Sequence, residues 1–209
     1  MKFLHIRAFF LILFVPFLLS ASSNYLLTEE ILKPEASKLI NSMGEELYLK
    51  TGVRVYCLPT IEKFPVGFNL VKYSKTYEEK MTKPYVLFIF APYAKITEKS
   101  KATGRFGLIP SSDSVRKLYD YDAVRDAGLG VITVKDKNSI EDKHNIGVVQ
   151  SFSELCDNIA DSKGISLTKT IKNESKYIIM FFRIIIYSGL MLIIWVYVLR
   201  PRLKRGKDD

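Results

Sequence analysis

The sequence predicts an α/β fold, a layered sandwich of a small mixed β-sheet with helices on both faces, followed by one C-terminal transmembrane helix. Three observations predict it. Helical periodicities alternate with β-branched runs between residues 23 and 165. One of those runs, Tyr85 to Ala91 (YVLFIFA), carries no polar residue and so reads as a strand covered on both faces. Tyr177 to Leu199 is a second apolar run, 23 residues long with Arg183 as its one charge.

The elements follow in order. Lys2 and Arg7 precede a twelve-residue apolar core, Ala8 to Leu19, and Ser20-Ala21-Ser22 supplies small residues. This is the pattern of a secretory signal peptide over residues 1–22, since such a core forms a helix of only about 18 Å against roughly 30 Å of hydrocarbon. After Pro34, a good first helical residue, Ala36, Leu39, Ile40, Met43 and Leu47 recur at helical spacing, and Thr51-Gly52 closes the helix. Val53 to Leu58 (VRVYCL) reads as a strand. Leu70, Tyr73, Ser74, Tyr77 and Met81 give a second helix with one buried stripe. Tyr85–Ala91 is the central strand, and Tyr93–Thr97 is expected to return beside it through a turn at Pro92.

A helix is expected around Ser114–Val124. For Gly128–Val134 the glycines argue against helix and the valines favour strand, and the sequence leaves it open. Val148, Val149, Phe152, Leu155, Cys156, Ile159 and Ala160 trace the apolar face of a last helix that Gly164 stops. Residues 166–176, polar and lysine-rich, read as a linker to the span at 177–199. The tail 200–209 holds five basic residues, and basic flanks stay in the cytoplasm. Export signal and tail agree on a single-pass membrane protein whose main domain faces outside the cytoplasm.

The formal charge of +9 divides unevenly. The body, Ser23 to Lys176, has 23 basic against 20 acidic residues. That balance is no footprint for nucleic acid. The expected partners are the lipid bilayer and other envelope or membrane proteins.

Most catalytic chemistries lack their residues. His144 is the one histidine outside the signal and sits in a polar segment, Glu141-Asp142-Lys143-His144-Asn145, read as a solvated loop. No G-x-S-x-G turn or phosphate loop is present, and Gly128-Leu129-Gly130 lacks the third glycine of a dinucleotide turn. Cys57 and Cys156 fall on a predicted strand and on the apolar face of the last helix. They are either small apolar core side chains or, if those elements pack, a disulfide. The best candidate for chemistry is the acidic set Asp113, Asp120, Asp122 and Asp126. As a metal site it would suit Ca²⁺ or another divalent cation, because hard cations take several converging carboxylate oxygens. The interleaved Arg116, Lys117 and Arg125 make ordinary surface ion pairs the competing explanation.

The order of these elements resembles the TPM domain family. INSMGEELYLKTGVRVYCL (Ile40 to Leu58) is similar to the family's first helix and strand, KPYVLFIFAPYAKIT (Lys83 to Thr97) to its central hairpin, and NIGVVQSFSELCDNIADSKGI (Asn145 to Ile165) to its closing helix. The resemblance covers most of residues 25–165 and the signal–domain–span layout of bacterial members. It implies an α/β sandwich outside the cytoplasm. Thylakoid-lumen members are linked to photosystem repair and acid phosphatase activity, and some members bind divalent metal at acidic loops. Asp113 stands where the family often has an aspartate. This chain departs from the family in lacking a glycine-rich tail and in opening its hairpin with Lys-Pro-Tyr. Two readings follow: a non-enzymatic tethered domain that binds or helps assemble envelope complexes, or a metal-dependent acid phosphatase using the acidic set.

Overall fold

The computed structural model describes residues 24–99, 102–172 and 174–199. The expected signal peptide and basic tail lie outside the described residues. The chain divides into two compact units, Met1–Ile171 and Lys172–Asp209.

The first unit is α/β. Its order is α1 (Pro34–Thr51), β1 (Arg54–Pro59), α2 (Leu70–Ser74) running into a 3₁₀ helix (Lys75–Lys80), β2 (Tyr85–Lys95), β3 (Thr103–Pro110), α3 (Asp113–Arg116), α4 (Tyr121–Ile132) and α5 (Ile140–Asp161). Among the described residues the sheet has three strands in the order β1-β2-β3. β1 pairs parallel with β2, Val55 opposite Val86 and Cys57 opposite Phe88, and β2 pairs antiparallel with β3, Phe88 opposite Leu108.

Period-two alternation sends the two sets of strand side chains to different cores. Val55, Cys57, Val86, Phe88 and Phe90 pack with Ile40, Met43 and Leu47 of α1 and Val148, Phe152, Leu155 and Ile159 of α5. Tyr56, Leu58, Leu87 and Ile89 pack with Phe64, Leu70 and a fringe of Phe68, Tyr73 and Tyr77. Burying each large side chain contributes roughly 1.5–3 kcal/mol. Long helices cover one face; an aromatic loop and short helices cover the other.

Several elements stand where their spacing placed them. Gly52 ends α1 in the left-handed conformation (φ 74°), its N–H donating to the Tyr48 carbonyl, as a residue without Cβ allows. Leu39, expected in the buried stripe of α1, is 42% exposed, and Glu46 is buried instead.

Other segments differ. The helix expected from Leu70 to Met81 is α-helical only to Ser74 and then tightens to 3₁₀. The predicted turn at Pro92 is not made: β2 runs on to Lys95 with a register shift between Ala91 and Lys95, and the returning strand is Thr103–Pro110. Proline has no N–H for the ladder, so the pairing bulges past it. Upstream of α1, Leu26 bridges in parallel to Cys57. The Cys57 N–H donates to the Tyr25 carbonyl (2.8 Å) and the Leu27 N–H to the Cys57 carbonyl (2.9 Å), which covers the outer edge of β1.

The helix expected around Ser114–Val124 divides into α3 and α4. The open stretch Gly128–Val134 is mostly helix, within α4 to Ile132. Its glycine is a packing residue. A Cβ on Gly128 would lie 2.2 Å from Ser151 Oγ and 3.1 Å from the Gly147 carbonyl, and one on Gly147 would lie 2.7 Å from Ile132 Cγ1. The bare backbones let α4 and α5 touch, and that contact outweighs the roughly 1 kcal/mol by which glycine disfavours a helix. α5 begins at Ile140, capped by Ser139, two turns before its expected apolar face.

The second unit is α6 (Glu174–Ile194), continued by a π-helical turn, Trp195–Leu199. Its described apolar side chains, among them Phe181, Ile184, Leu190 and Trp195, are exposed. The expected span is thus helical along its described length. Among the described residues, however, no helix is long and apolar enough to cross a membrane.

Candidate functional site

The acidic set does not converge. Asp113 opens α3. Asp120 is the N-cap of α4, its carboxylate accepting from the backbone N–H groups of Asp122 (2.9 Å) and Ala123 (3.4 Å), the ordinary work of an aspartate before a helix. Asp122 and Asp126 pair with Arg125 at 2.8 and 2.9 Å, with side chains 71% and 64% exposed. Among the described residues no group of three or more His, Cys, Asp and Glu could hold a metal ion. The site expected at Asp113, Asp120, Asp122 and Asp126 is replaced by a cap and a surface ion-pair cluster, because Asp120 is spent on the backbone N–H groups of α4 and Asp122 and Asp126 on the Arg125 guanidinium.

Cys57 and Cys156 share the first core, yet both are buried free thiols and form no disulfide. Burial pushes both thiols up, so neither is an activated nucleophile.

His144 is not in a loop. It sits on α5, 7% exposed, its ring in edge-on contact with Phe90 (5.7 Å) and Tyr93 (5.8 Å) at the end of β2. Its Nδ1 is buried without a hydrogen-bond partner, and burial holds the imidazole below its usual range. At neutral pH it is an uncharged ring packed among aromatics. The next residue, Asn145, clamps the approach to α1: its Oδ1 accepts from the Lys33 N–H (2.7 Å) and its Nδ2 donates to the Ile31 carbonyl (3.0 Å). Lys33 also pairs with Asp142.

The most heavily bonded carboxylate in the described structure is Glu46 on α1. Residues 166–171, expected as free linker, run back over α1 and α5 as a strap. Glu46 accepts from the Thr168 N–H (2.9 Å to Oε1), the Thr168 hydroxyl (2.8 Å) and the Lys169 N–H (2.8 Å to Oε2), and pairs with Lys50 at 2.8 Å. Burial alone would raise its pKa; the Lys50 ammonium and the Lys169 and Thr168 donors outweigh that and hold it at about 2. The Lys50 ammonium also donates to the Ser166 carbonyl (2.9 Å), and Leu167 is buried. The Thr170 hydroxyl donates to Asp157 (2.7 Å), and the Ile171 N–H donates to Ser153 Oγ (2.7 Å). Sequence reasoning missed this site, although a glutamate inside the apolar stripe of α1, four residues before a lysine, is its signal.

These residues hold a segment; among the described residues they set no nucleophile beside a base. No family model matches the chain, and no curated protein is similar to it.

Proposed function

We propose that this is a membrane-tethered, extracytoplasmic α/β domain of the TPM type, which binds or helps assemble envelope protein complexes without catalysing a reaction. One observation carries the reading. The docked strap ends at Ile171, and α6 begins at Glu174, opening into the 23-residue apolar stretch Tyr177–Leu199 with its single charge. By its sequence that stretch would make a helix of about 34 Å, the thickness of a bilayer's hydrocarbon, while among the described residues no helix is long and apolar enough to cross a membrane. A folded domain joined so shortly to such a helix is confined to the membrane surface, which raises its effective concentration towards membrane-bound partners. The metal-dependent phosphatase reading loses support, since Asp120 serves a helix cap and Asp122 and Asp126 serve Arg125.

Two measurements test the proposal. Alkaline carbonate should leave the chain in the membrane pellet while protease added to spheroplasts degrades the domain. Crosslinking in intact cells should then recover a defined envelope protein. Release by carbonate, or protection of the domain in spheroplasts, would refute the tether. Turnover of a phosphoester by the purified chain, lost in Asp113→Asn, would refute the non-enzymatic role.

A further inference from the structure

Among the described residues the sheet has one covered edge and one whose outer backbone row is largely unpaired. Residues 24–27 cover the side of β1. On the other side, the Ser111 N–H donates to the Tyr85 carbonyl, and the register pairs Leu87 with Ile109 and Ile89 with Gly107. In an antiparallel ladder the directly bonded pairs alternate, so Ile109, Gly107 and Arg105 turn their backbone groups towards β2. Gly104, Phe106 and Leu108 turn theirs outward. Among the described residues a single bond reaches that outer row: the Tyr121 hydroxyl donates to the Phe106 carbonyl at 3.1 Å. That leaves the N–H groups of Gly104, Phe106 and Leu108 and the carbonyls of Gly104, Leu108 and Pro110 open to pairing.

We infer that the β3 edge pairs with the β3 edge of a second copy of this chain, antiparallel about a two-fold axis at Phe106, joining two sheets into one. The strand selects that occupant through its own sequence, T-G-R-F-G-L-I-P over 103–110. Centred on Phe106, the pairing sets Leu108 opposite Gly104 and Arg105 opposite Gly107. Each larger side chain thus crosses a glycine, and the two Phe106 backbones face each other at the axis while each ring stays packed on Phe88 and Phe90 of its own copy. Sliding the pairing one way sets Arg105 against Arg105, a repelled pair. Sliding it the other way sets Gly104 against Pro110, which has no N–H to give. Of these three registers the centred one meets neither obstacle. The contact is isologous, as closed dimers require, and it satisfies the unpaired row that makes an edge strand prone to association. The Tyr121 hydroxyl acts as a guard, since it occupies one lone pair of the Phe106 carbonyl in the single copy.

The test follows individual amides of the purified full chain in detergent by hydrogen exchange, alongside sedimentation equilibrium, over roughly 1–100 μM. A dimer should form with rising concentration, and the Phe106 and Leu108 amides should then exchange at least about tenfold more slowly. Those of Gly107 and Ile109, already bonded to β2, should not change. Tyr121→Phe removes the guard and should tighten the dimer about fivefold. A chain that stays monomeric overturns the inference. So does a dimer whose Phe106 and Leu108 amides exchange as in the monomer, the result expected of association through α6. So does protection that appears only in cell membranes beside another protein.

Discussion

Glu46 and the aspartates between Asp113 and Asp126 are two sets of carboxylates with opposite fates. The aspartates are more numerous, closer in sequence and more suggestive of a cation site. In the fold they work separately, Asp120 at a helix cap and Asp122 and Asp126 on Arg125 in solvent. Glu46, next to Glu45 on α1, is 7% exposed and collects three N–H and O–H donors plus an ammonium. What makes a carboxylate consequential is desolvation together with convergent donors, and neither is a property of local density.

The widest gap between the two should appear on truncation. Glu46→Ala leaves the Thr168 and Lys169 N–H groups without their acceptor and frees the strap, at a cost of about 2–3 kcal/mol. Thermal unfolding of the full chain should show Tm lower by about 5–10 °C. A loss no greater than that of an Asp122 variant would erase the contrast.

The acid limb sharpens it. The Glu46 carboxyl is held at about 2 in the fold against an ordinary 4.5, so its stabilisation is fully present above about 4.5 and is lost as pH falls from there towards 2. Glu46→Gln should lack that loss, giving a flatter stability curve across this window. A limb as steep as that of the unchanged chain would assign the acid sensitivity elsewhere.

His144 provides a cationic counterpart. Its ring is kept neutral by burial, so the unfolded chain takes up a proton more readily than the folded one. Stability should therefore decline as pH drops below the ordinary histidine value of about 6.5. His144→Phe keeps a ring between Phe90 and Tyr93 and should remove the decline; denaturant midpoints at pH 7.5 and 5.5 compare the two. An equal decline in both proteins would exclude His144 as its source.

The smallest effect belongs to the aspartates. Asp122→Ala with Asp126→Ala should move Tm by no more than about 2 °C, and millimolar Ca²⁺ should leave the Tm of the unchanged chain where it was. A clear Ca²⁺-dependent rise would restore the cation site.

The pattern of these outcomes follows what was legible in the chain. Gly52 after an apolar stripe, the unbroken YVLFIFA run and the face from Val148 to Ala160 each state a local preference that the fold keeps. Gly128 could not be read that way. A glycine that weakens an isolated helix becomes necessary once another backbone lies against it, and Gly147 is nineteen residues away. Pro92 signals a turn locally, but a bulge in a ladder with β3 absorbs it. His144 lies among charged neighbours in sequence, while Phe90 and Tyr93 determine its surroundings.

By itself the sequence determined the class of the fold, the stop of α1 at Gly52, the fully covered central strand and the helix near the carboxyl end. These follow from spacing and composition within one element, where side chains three, four or two residues apart share a face. Only the tertiary structure decided that the segment after α5 is docked, that Glu46 is its anchor, that the aspartates serve a helix cap and Arg125, and that among the described residues the outer row of β3 is left largely unpaired. Each of those depends on groups far apart along the chain meeting at a few ångströms, and no local period encodes such a meeting.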